Sequence, residues 1–139
     1  MLDASTTLAW LVRRVKVDED RLADHALRRI QKGGAVVPAL WFPEVANGIL
    51  VAERRGVVAL STSASFMGLV ETLPIEQDVS RPSSVFATAL LLARSYGLTS
   101  YDATYLELVL RTRGTLATFD GQLAQAVRNA GGKIFGDPV

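Results

Sequence analysis

The sequence predicts an α/β domain with a mainly parallel central sheet covered by helices. Short apolar segments alternate with longer stretches of helical periodicity, which is the order that builds parallel sheets. Glycines fall where the helical periodicity stops, as helix ends require. The chain has 139 residues, 49% of them apolar, enough for one domain around a full core. We therefore expect a single domain over residues 1–139.

The elements follow in order. Leu8, Trp10, Leu11, Val12 and Val15 predict a helix over 4–15, with Ser5 or Thr6 as its cap. Leu22, Ala23, Ala26, Leu27 and Ile30 share one face of a helix over 19–32, which Gly33 and Gly34 end. Residues 35–38 read as a short buried strand, and 41–55 as a third helix closed by Gly56. A fourth helix spans 61–72, and 73–75 is a strand fragment. Helices over 84–96 and 101–113 end at Gly97 and Gly114. A strand over 115–118, a helix over 122–130 and a strand over 133–135 complete the alternation.

The inventory excludes several chemistries. There is no cysteine, so no thiolate nucleophile and no disulfide framework. His25 is the only histidine, so zinc sites built on several histidines are impossible. Neither Gly-x-Ser-x-Gly nor a glycine-rich phosphate loop occurs. No apolar run reaches the length of a membrane span, and the start Met1-Leu-Asp-Ala-Ser5 has no basic n-region. The expectation is a cytoplasmic protein with no membrane contact. A net charge of +1 leaves nucleic acid neither favoured nor excluded.

Four carboxylates stand out because each lies amid apolar sequence, where a lone charge is costly to bury. Asp3 precedes the first helix, Glu44 lies in 37–50, Asp102 opens the apolar run 103–110, and Asp120 closes 115–120. In open α/β sheets ligands sit beyond the carboxyl ends of the strands. All four acids can face that edge, where a shared divalent cation would neutralise them. Taken singly, each has a plainer role: Asp3 and Asp120 as helix caps, Asp102 as a cap or first-turn acid, Glu44 as a first-turn acid. The matched set favours a site.

These residues and their contexts resemble the PIN-domain nucleases, and in particular the VapC ribonuclease toxins of VapBC toxin–antitoxin pairs. The resemblance rests on Asp3-Ala-Ser5, Pro43-Glu-Val-Ala-Asn47, Leu98-Thr-Ser-Tyr-Asp-Ala-Thr-Tyr-Leu106 and Leu116-Ala-Thr-Phe-Asp120, in that order. It covers nearly the whole chain, and residues 97–120 are its most specific part. It implies a PIN-like three-layer fold with helices on both faces of the sheet. It implies a metal-dependent endoribonuclease whose Asp3, Glu44, Asp102 and Asp120 bind Mg²⁺ or Mn²⁺ and hydrolyse RNA. Ser5 and Thr118 match polar positions beside the metal. Further implications are an antitoxin partner and a homodimer. Family members usually carry several apolar residues before the first Asp, whereas only Met1 and Leu2 precede Asp3 here, so either the first strand is very short or the true start lies upstream.

Other residues receive plainer expectations. Glu53, Glu71, Glu76 and Asp78 read as solvated acids, Glu107 as facing away from Asp102, and His25 as a surface residue. Trp10, Trp41 and Phe42 read as core or dimer contacts. Ile49, Leu50, Val51, Phe66, Met67 and Val70 suggest an apolar dimer face on the third and fourth helices. Among the basic residues, Arg13 and Arg14 are the first candidates for holding RNA phosphates. Two other classes compete with the nuclease. A receiver-type phospho-acceptor module would need paired acids after the first strand and a lysine after the late one; here the acid is single and Asp120-Gly-Gln follows. The other is a catalytically silent binding domain on the same fold.

Overall fold

The structure is a computed structural model that describes residues 1–138. Among these the chain forms α1 (Ala4–Leu8), α2 (Val17–Gly33), β1 (Ala35–Val37), α3 (Trp41–Arg54), α4 (Leu60–Thr72), β2 (Ile75–Gln77), α5 (Pro82–Tyr96), α6 (Ser100–Thr112), β3 (Thr115–Leu116), α7 (Gly121–Asn129) and β4 (Lys133–Ile134). No helix among the described residues is long and apolar enough to cross a membrane.

Among the described residues all strand pairing is parallel, but it is smaller than expected and divided between two two-stranded sheets. β1 pairs with β2 from Ala35–Ile75 to Val37–Gln77, and β3 pairs with β4 through Thr115–Lys133 and Leu116–Ile134. The strand before Asp3 shrinks to one parallel bridge between Leu2 and Ala117. It is firmly anchored all the same. The Ala117 N–H donates to the Met1 carbonyl at 3.1 Å, the Asp3 N–H donates to the Ala117 carbonyl at 3.0 Å, and Leu2 is fully buried.

The predicted helix over 4–15 is a correction. It stops at Leu8, because the next residues are drawn off by contacts with α2. The Trp10 indole N–H donates to the Ala23 carbonyl at 2.9 Å, and the Arg14 N–H donates to Asp20 Oδ1 at 3.0 Å. The strand fragment at 73–75 also moves, to Ile75–Gln77. Pro74 has no N–H for a ladder, but its carbonyl accepts from Ala35. At Gly34, φ is 72° and a Cβ would lie 2.8 Å from that same carbonyl, so the α2–β1 turn demands glycine.

The core gathers Leu2, Val37, Leu116 and Ile134 from the strands with Trp41 and Val45 of α3, Tyr105, Leu106 and Val109 of α6, and Leu123 and Val127 of α7. Ile49 and Phe66 join it; Ile49 also lines the groove between α3 and α4, whereas Phe66 is withdrawn from the expected dimer face. Leu50 and Met67 stay exposed. Asp3 follows the Leu2 bridge, and residues 118–120 follow β3. The α6 N-terminus and the first turn of α3 supply the remaining walls of the site.

Candidate active site

Asp3 is 5% exposed and occupies the N-cap position of α1 without capping it through its side chain. Its Oδ2 is turned instead to two hydroxyls. Ser5 Oγ donates to it at 2.5 Å and Thr118 Oγ1 at 2.7 Å. Ser5 Oγ accepts from the Phe119 N–H at 2.9 Å, and Thr118 Oγ1 accepts from the Asp120 N–H at 3.0 Å. The short α1 and the turn after β3 are thereby locked around one buried carboxylate. Charge-assisted hydrogen bonds of this kind offset the cost of its burial.

Asp120 caps α7, with Oδ1 accepting from the Leu123 N–H at 2.8 Å. Asp102 sits in the first turn of α6 in a reciprocal pair with Thr99, the N-cap of that helix. The Thr99 hydroxyl donates to Asp102 Oδ2 at 3.0 Å, and the Asp102 N–H donates to Thr99 Oγ1 at 3.1 Å. Glu44, in the first turn of α3, accepts from the Tyr105 hydroxyl at 3.3 Å through Oε1. The plainer roles weighed for Asp120, Asp102 and Glu44 are thus present in the fold. They do not exclude a site, since each carboxylate keeps a further oxygen or lone pairs.

The electrostatics tie the acids together. Burial first, then the charge of Asp3 and more weakly that of Asp102, push the Glu44 carboxyl up to about 7, against the Tyr105 hydrogen bond. Burial first, then the charges of Asp120 and Asp3, raise Asp102 as well, against the Thr99 hydrogen bond. Glu44 thus feels the charges of Asp3 and Asp102, and Asp102 those of Asp120 and Asp3, an excess of negative charge drawn from four separate elements. Among the described residues, no three of His, Cys, Asp or Glu are gathered tightly enough to enclose an ion. The charges are adjacent without being converged. Their donor chemistry, carboxylate oxygen with no nitrogen or sulfur, fits a hard divalent cation, and so does the charge excess that such a cation would relieve.

The other candidates fall out as follows. Arg13 pairs with Asp20 and Asp24, both at 2.9 Å, and faces α2. Arg14 pairs with Glu19 at 2.8 Å, and its guanidinium carbon lies 4.8 Å from the centre of the Phe119 ring, next to Asp120. Of the two, Arg14 borders the site. Glu107 is outside the constellation but is not a solvent-facing acid; it is buried and pairs with Arg111 at 2.7 Å. Arg111 also holds Asp78 at 2.6 Å, which corrects the reading of Asp78 as solvated. Trp41 is core, its indole N–H donating to Thr7 Oγ1 at 3.2 Å, whereas Phe42 stays exposed. His25 is exposed, with its ring 5.0 Å from that of Phe135. Sequence reasoning missed Tyr105 and Thr99. Both lie three residues from Asp102, Tyr105 on its own helix face, and that spacing was the available signal.

A family model described as the PIN domain matches residues 1–129. Ribonuclease VapC3 of Pyrobaculum aerophilum is 28% identical to this chain over 125 residues, which span 90% of this chain and 92% of that protein. The crystal structure of PAE2754 from Pyrobaculum aerophilum superposes with a TM-score of 0.68 at 21% identity, covering 96% of this chain and 88% of that one. That second likeness is one of fold.

Proposed function

The chain belongs to the PIN-domain family, and from that premise we propose that it is a metal-dependent endoribonuclease, the toxin of a VapBC-type pair acting in the cytoplasm. The observation that carries the proposal is the mutual charge coupling of Asp3, Glu44, Asp102 and Asp120 across four elements. The likeness to Ribonuclease VapC3 supports the RNA substrate and the antitoxin partner.

In this reading the four carboxylates hold Mg²⁺ or Mn²⁺. Such an ion, held by these residues, would supply a water of lowered pKa and a positive charge for the phosphate. The chain's own residues prepare that chemistry. Ser5 and Thr118 fix one oxygen of Asp3. Thr99 fixes Asp102, and the α7 cap fixes Asp120 with one oxygen free to face the site. Preorganised carboxylates lose little freedom when they gain a ligand. Arg14 can exchange its Glu19 partner for an RNA phosphate beside Phe119.

Two partners complete the proposal. Between α3 and α4 runs an apolar groove of about 730 Å³ that includes Phe42, Leu50, Leu60 and Met67. We expect a two-fold homodimer using these helices, and an antitoxin segment that brings a basic residue to the carboxylates. Light scattering tests the first: a particle of 15.0 kDa, the mass of one chain, would rule the dimer out.

The deciding experiment for the activity is cleavage of end-labelled RNA by protein stripped with EDTA. Internal cuts should return with Mg²⁺ or Mn²⁺ and be absent with Asp102→Asn. Wild-type protein that leaves RNA intact under every metal would make this a silent binding domain.

A further inference from the structure

Tyr105 is an anomaly of the α6 core face. Its side chain is among the largest fully buried ones, at 1% exposure, yet it carries a hydroxyl into a region otherwise packed with leucine, valine and alanine. A buried phenol needs a partner. The partner it finds is a carboxylate of the candidate site, Glu44 Oε1 at 3.3 Å, across from α6 to α3. The backbone of Ala4, next to Asp3, faces the Tyr105 hydroxyl. Tyr105 thus bonds one of the four acids directly. It is three residues along α6 from Asp102, it bonds Glu44, and it lies against the residue that follows Asp3.

We propose that Tyr105 is a positioning residue for the acidic site, its hydroxyl fixing the Glu44 carboxylate so that Oε2 is presented to a cation alongside Asp3 and Asp102. This rests on the metal-site reading above. The physical reason is the difference between the two glutamate oxygens. Glu44 has three rotatable bonds and is only half-buried, so it can swing toward solvent and away from the charge of Asp3. A donor on Oε1 opposes that swing and leaves Oε2 as the free ligand. The phenol cannot itself swing, because its ring is enclosed by the core. Partners of this kind behind a metal-ligating group typically alter affinity by about 10–100-fold.

The test is Tyr105→Phe, which keeps the ring and removes only the hydroxyl. Calorimetric titration of Mn²⁺ should show affinity weakened about 10-fold or more, with cleavage recovering toward the wild-type kcat as Mn²⁺ is raised. In a Glu44→Gln background the same change should have no further effect on Mn²⁺ affinity, because Tyr105 acts through Glu44. Equal Mn²⁺ affinity in wild type and Tyr105→Phe would overturn the inference and leave the metal site standing. A wild-type protein that binds no Mn²⁺ would overturn both. Should Tyr105→Phe fail to fold by circular dichroism, the wild-type chain decides. With tyrosines labelled at the ring carbon bearing the hydroxyl, Mg²⁺ should shift the Tyr105 resonance, and an unmoved Tyr105 signal would overturn the proposal.

Discussion

Thr118 Oγ1 donates to Asp3 Oδ2 at 2.7 Å, joining residues 115 positions apart in sequence. The same hydroxyl accepts from the Asp120 N–H at 3.0 Å, so one threonine ties the first acid of the constellation to the last. Replacing it with valine keeps the shape and removes both bonds. We expect Thr118→Val to lose about 1.5–3 kcal/mol of stability in metal-free buffer, the range for a hydrogen bond to a charged group. Urea unfolding measures this. A loss below about 0.5 kcal/mol would mean that Asp3 has found another donor.

Glu44 gives the apo protein a signed pH dependence. Its folded pKa is raised to about 7 from an ordinary 4.5. A carboxyl raised in this way contributes stability that is fully present below 4.5 and lost as pH rises through about 7. In EDTA, wild type should therefore melt higher at pH 5 than at pH 8 by more than Glu44→Gln does. Parallel pH–Tm curves for the two proteins would remove Glu44 as a buried, charge-coupled group.

Asp102→Asn should separate stability from activity. The substitution removes a charge that sits near Asp3 and Asp120, while the amide oxygen can still accept from Thr99. We expect the apo variant to melt at the wild-type temperature or above, and to show no RNA cleavage. The single carboxylate changes should also be non-additive in activity, because the acids act as a unit. A double variant whose loss equals the product of its single losses would speak against a shared site. An Asp102→Asn chain unfolded by circular dichroism would make the residue structural.

Arg14 and Arg13 should differ. Arg14 lies over Phe119 beside Asp120, whereas Arg13 is held by two α2 acids. Arg14→Ala should raise KM for RNA and lower the salt dependence of binding by about one phosphate contact. Arg13→Ala should do so far less. Fluorescence anisotropy of a labelled RNA at several salt concentrations distinguishes them, and equal slopes for both variants would rule out the difference.

How far the sequence disclosed this molecule follows from the range of each interaction. Helices such as α3, α5 and α6 were legible because their apolar periodicity and end glycines are local. The early stop of α1 was not, because Trp10 and Arg14 leave the helix for partners on α2. The strands have two or three residues each, too few for a period, and their pairing is non-local. Of the site, Asp3, Glu44, Asp102 and Asp120 could be picked out as charges in apolar contexts. That they would face one edge could be expected, but which pairs lie close could not, since that depends on which helix ends the fold brings together. Tyr105 was hidden for the opposite reason: in a run of leucines and valines an aromatic reads as core, and only its neighbour across the fold makes its hydroxyl matter.

Calorimetric titration of Mn²⁺ tests most directly whether the four carboxylates hold one metal, as proposed. Wild type should bind with measurable heat, and Asp3→Asn, Glu44→Gln, Asp102→Asn and Asp120→Asn should each bind markedly more weakly while remaining folded. No binding of Mn²⁺ or Mg²⁺ to wild type, or undiminished binding to all four variants, would contradict it.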